Sequence, residues 1–128
     1  METLRREFEN LFEKALKVSF VEGADKINKQ WKDIKPNSIM ELFNSAKYRE
    51  GENPSHGHPQ NHAGELFAYS SEILLFYPDK FNRRLSWLKD DEERNLALQI
   101  AGQIVESYTQ DEILPEELKS LDRFRMKK

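Results

Sequence analysis

From about residue 3 to residue 20, apolar side chains return every three or four positions. Leu4, Phe8, Leu11, Phe12 and Ala15 fall at i, i+4, i+7, i+8 and i+11. A 3.6-residue period puts all of them on one stripe, so the stretch predicts an amphipathic helix with that stripe turned to a core. The same period governs the rest of the chain, and no stretch shows the strict alternation of a half-buried strand. The expected fold class is therefore all-α: a compact, irregular bundle of about six helices, with residues 1–128 forming a single helical domain.

The punctuation between stripes agrees. Gly23 weakens or interrupts the first helix, and Ile27, Trp31 and Ile34 form a short second stripe closed by Pro36. Ser38 and Glu41 have capping-box spacing ahead of Ile39, Leu42, Phe43 and Ala46. Asn61 is placed to cap a fourth helix carrying Ala63, Leu66, Phe67, Ser70, Ile73, Leu74 and Tyr77, which Pro78 stops. Pro78 suits the first turn of a fifth helix with Phe81, Leu85 and Leu88. Asp90 with Glu93 repeats the capping logic before Ala97, Ile100, Ala101, Ile104, Val105 and Tyr108, and Pro115 opens a last short helix with Leu118 and Leu121.

Composition removes several classes of function. With no cysteine there is no disulfide, thiolate metal site or cysteine nucleophile. A net charge of −3 sets up no global field for nucleic acid, so none is expected as a partner. Arg83-Arg84 and the basic tail from Arg123 to Lys128 read as a solvated helix face and a chain end. No apolar run approaches the roughly 20 residues that cross a bilayer, and the first residues lack the apolar core of a secretory signal. A cytoplasmic protein without membrane contact is expected, with an unidentified protein as the partner class that remains. Glycine-rich phosphate loops, a Walker-type lysine and a nucleophile elbow are all missing, and no catalytic residue is expected from these motifs.

One cluster carries chemistry. Residues 49–61 form a polar loop with two glycines and two prolines between two helical halves. All three histidines of the chain, His56, His58 and His62, fall within seven residues at its end, and Glu65 follows. Imidazole nitrogens with a carboxylate oxygen make a donor set for zinc or a similar ion. His62 and Glu65 are i, i+3 neighbours on one helix face, and Tyr69 and Glu72 continue that line beside the apolar stripe, as a wall for a cleft. Pro59 biases His58 toward an extended backbone, so His56 and His58 join the set only by folding back over the helix start. The same residues also read as a solvated polar loop leading into a capped helix.

Residues 57–69 (GHPQNHAGELFAY) with 76–81 (FYPDKF) resemble a known arrangement. They look like the helix bearing the third zinc ligand in gluzincin-type metallopeptidases, particularly the lethal-factor-like and short zincin families. There a Glu precedes Leu/Phe-Phe-Ala, an aromatic follows, and a Pro/Asp-x-x-Phe/Leu segment comes after. Glu65, Leu66, Phe67, Ala68 and Tyr69 match it position by position. The resemblance implies that Glu65 is a zinc-ligand carboxylate. Those peptidases take two further ligands and the general base from His-Glu-x-x-His on a preceding helix, whereas residues 1–55 here contain no histidine. The resemblance thus implies a metallopeptidase-like helical domain, incomplete or degenerate, with no peptidase activity on its own. The alternative is a non-enzymatic helical protein–protein interaction domain.

Overall fold

The computed structural model describes residues 2–25 and 30–109. The first stripe becomes helix α1, Glu2–Ser19, burying Phe8, Leu11, Phe12, Ala15 and Leu16. The most regular stripe becomes α5, Asp91–Thr109, burying Leu96, Ala97, Ile100, Ala101, Ile104 and Val105. These two long helices pack antiparallel. Near one end, Gln103 Nε2 donates to Glu7 Oε2 at 2.8 Å, and near the other, Lys14 and Lys17 share a groove with Leu96 and Gln99.

Three shorter helices close the core. They are α2 (Ile39–Leu42), α3 (Ala63–Phe76) and α4 (Pro78–Arg84). Ile39, Met40, Leu42, Phe43, Leu66, Ile73, Leu74 and Phe81 are all fully buried among them. Phe43 and Phe81 meet at 5.3 Å between ring centroids, joining the end of α2 to α4. No strand occurs among the described residues, so the fold is all-α, with five α-helices there and not about six. None of these helices is long and apolar enough to cross a membrane.

Among the described residues, the end of the second expected helix takes another form for a tertiary reason. Trp31–Asp33 makes only one 3₁₀ turn, because Ile34 pairs with Phe20 in an isolated antiparallel bridge. Val21 N donates to Asp33 O at 3.0 Å and Lys35 N to Ser19 O at 2.6 Å, so beyond its single turn this segment bonds across the chain and does not continue as a helix. Gly23 supports the reversal with φ +88°, the left-handed region that favours glycine. Ile27 of that stripe, the expected helix from Pro115 through Leu118 and Leu121, and the basic tail all lie outside the described residues.

The caps differ in detail from the expectation. Glu41 accepts the backbone N–H of Asn37, one residue ahead of the expected box, and the Ser38 side chain makes no cap. Asp90 caps α5 through Glu92 N at 2.9 Å, not through Glu93. Burial first, then the neighbouring Asp90, raises the pKa of Glu93 above the ordinary carboxylate value, while Lys35 pulls it back. Leu85 and Leu88 do not extend α4 as α-helix; Leu85–Trp87 tightens to a 3₁₀ turn instead.

Candidate functional site

Helix α3 starts one residue later than Asn61 would cap it. His62 is its N-cap, with extended backbone, and its Nδ1 accepts the N–H of Glu65 at 3.3 Å. The ring lies over the first turn because Gly64 leaves room. A Cβ at Gly64 would meet His62 Cε1 and Nδ1 at 3.1 Å, tighter than ordinary contact. On the other side of the ring, Nε2 lies 3.8 Å from Glu65 Oε1. The sequence-predicted pair His62 and Glu65 is therefore brought together, His62 exposed and Glu65 half-buried.

The other two histidines stand elsewhere. His56 ends a 3₁₀ turn, Pro54–His56, which Asn53 caps through Ser55 N at 3.0 Å, and both His56 and His58 are exposed. Among the described residues, no three histidine, aspartate or glutamate side chains converge where they could hold a metal ion. A neutral imidazole has one acceptor nitrogen. In His62 that nitrogen is bonded to the backbone, so Nε2 carries the proton. The donor set as folded is two groups, short of the three protein ligands of an open zinc site, and one of the two is engaged as a cap.

What holds the polar loop was not visible as a metal pattern. Asn44 is fully buried; its Oδ1 accepts Ala46 N at 3.1 Å and its Nδ2 donates to Pro54 O at 2.5 Å. Gly57 packs directly on that amide, where a Cβ would fall 1.6 Å from Asn44 Oδ1. The nearest sequence signal was Asn44 itself, a turn-capping residue type just ahead of Ser45 and Ala46.

The polar line on α3 divides in two. Its far end, Glu72, takes a bidentate pair from Arg49, with Nε to Oε2 at 2.7 Å and Nη2 to Oε1 at 3.0 Å, and a hydrogen bond from Ser45 Oγ. The Glu72 hydrogen bond is the main reason the Arg49 pKa rises above its usual value. The near end, His62, opens on a groove of about 600 Å³ between α1, α3 and the end of α5. Leu4, Phe8 and Phe67 form its apolar part, with Phe8 edge-on to Phe67 at 5.5 Å.

A second feature escaped the sequence reading. Arg84, expected on a solvated face, is half-buried, with its guanidinium 4.2 Å from the Tyr48 ring centre and 5.1 Å from that of Trp87. Burial pushes the Tyr48 hydroxyl pKa well up, against the lowering effect of Arg84, and the hydroxyl donates to Leu42 O at 2.9 Å. The available signal was the i, i+3 spacing of Arg84 and Trp87.

Comparison with known proteins finds no matching family model, no matching curated protein and no matching solved structure.

Proposed function

We propose that this chain is a metallopeptidase-like helical domain that works by binding a partner protein and performs no peptide hydrolysis itself. The observation that carries this reading is the use made of His62. The residue best placed to join Glu65 as a ligand is built into the fold as the cap of α3, over a glycine that admits its ring. Replacing a good cap costs about 1 kcal/mol of stability, so moving His62 onto a metal has to offset that loss. The resemblance of residues 57–69 to a third-ligand helix supports the family part of the proposal, and the exposed, unchained positions of His56 and His58 support its non-catalytic part.

The test is incubation of the purified chain with casein and with a mixed peptide library in the presence of added zinc. No cleavage above a protein-free control is expected. Chelator-sensitive turnover that co-purifies with the chain and disappears in Glu65→Ala would overturn the reading.

A further inference from the structure

Around α4, cations and aromatic rings form one continuous row. Lys80 Nζ lies 5.7 Å from the Tyr77 ring centre, Tyr77 lies 5.8 Å from Tyr48, and Arg84 covers Tyr48 and approaches Trp87. Lys47 Nζ then sits 5.0 Å over Trp87. Lys80, Arg83 and Arg84 fall at i, i+3 and i+4, so the first two, both exposed, stand beside the anchored third. Immediately before them Phe76 closes α3 with 72% of its surface in water, the most exposed large apolar side chain among the described residues.

We propose that this face docks an acidic peptide segment of a partner protein, one with an apolar side chain among its carboxylates; the inference rests on the binding role proposed above. Phe76 supplies an exposed apolar anchor at the end of α3, and Lys80 and Arg83, both exposed, supply positive charge on the helix that follows it. Arg84 is held in place by two rings and by its hydrogen bond to Lys47 O, so it adds positive charge with little side-chain freedom left to lose. Exposed Phe and Arg side chains are enriched in protein interfaces relative to the rest of a surface.

Other anionic partners fit less well. Single-stranded nucleic acid needs open ring faces for its bases, but here Tyr48 is buried under Arg84 and Trp87 is flanked by Arg84 and Lys47. An anionic membrane meets the molecule as a broad plane, and acids stand beside these cations, Asp79 next to Lys80 in the first turn of α4 and Glu41 3.2 Å from Lys47. A short acidic segment can follow the cations alone and avoid the rest of a surface whose net charge is −3.

The experiment uses the full chain and a fluorescein-labelled synthetic peptide rich in glutamate with one central phenylalanine. Its controls are the lysine-for-glutamate version, phosphatidylserine vesicles and a single-stranded RNA. Saturable binding of the acidic peptide alone is expected, weakened about tenfold or more by the double variant Lys80→Glu/Arg83→Glu and by Phe76→Ala, and weakened by salt. Both sites are exposed, and unchanged circular dichroism establishes that each variant is folded. Failure of the acidic peptide to bind, binding that the variants leave unchanged, or preference for vesicles or RNA would each overturn the inference. The peptidase assay tests the non-catalytic part of the underlying reading separately, so a failure of that part and a failure of this inference are distinguishable.

Discussion

Adding one methyl group at Gly57 is expected to destabilise the protein by about 3 kcal/mol, although the residue sits in a polar loop. The reason is its neighbour. The new Cβ would overlap Asn44 Oδ1, and Asn44 has no room to withdraw because its amide is fully buried and bonded on both sides. Overpacking a close-packed site costs roughly 1–3 kcal/mol, and breaking a buried hydrogen bond with one partner left in place adds about 1–3 kcal/mol. Thermal unfolding of Gly57→Ala should fall by roughly 10–15 °C relative to the native chain. A double variant with Asn44→Ala should lose less than the sum of the single effects, because each change removes what the other disrupts. Additive losses, or a Gly57→Ala variant as stable as the native chain, would mean the loop is not held by this contact.

Phe81→Ala is expected to cost about 4 kcal/mol, within the range for removing a buried aromatic side chain. Phe81 is completely buried, 5.3 Å from Phe43, and it is the only fully buried residue of α4. Its loss should release α4 from the end of α2, which denaturant titration would record as a lower midpoint. The tyrosines and tryptophan of the neighbouring cation row should then become more accessible to quencher. A loss below about 1 kcal/mol would show that α4 is held mainly by its charged face and not by its core contact.

Much of this fold was legible from spacing. The stripes of α1, α3 and α5 were read correctly because each of these helices is long enough for a 3.6-residue period to repeat several times. The described end of the second stripe, Trp31 to Ile34, was misread because apolar residues at that spacing fit a helix and a bridge equally well. Its actual partner is Phe20, in a different part of the chain. The cap of α3 was misplaced for a related reason. Asn is the stronger general cap, and no local rule says that Gly64 makes space for an imidazole one position later. In the candidate site, the His62–Glu65 neighbourhood follows from i, i+3 geometry and was found. The placement of His56 and His58 depends on Asn44 and Gly57 holding the loop, a packing relation that residue types alone do not reveal. Arg84 was read as solvated because its ring partners include Tyr48, distant in sequence.

The role of His62 as a cap, on which the functional reading depends, is directly measurable. Long-range nitrogen–proton NMR of the imidazole distinguishes its tautomers, and it can be recorded at mildly alkaline pH before and after adding zinc. The structure predicts an Nε2-protonated ring with an unprotonated Nδ1 and a Glu65 amide signal that zinc leaves in place. An Nδ1-protonated ring before zinc, or a Glu65 amide and His62 ring that shift together as zinc binds stoichiometrically, would contradict it.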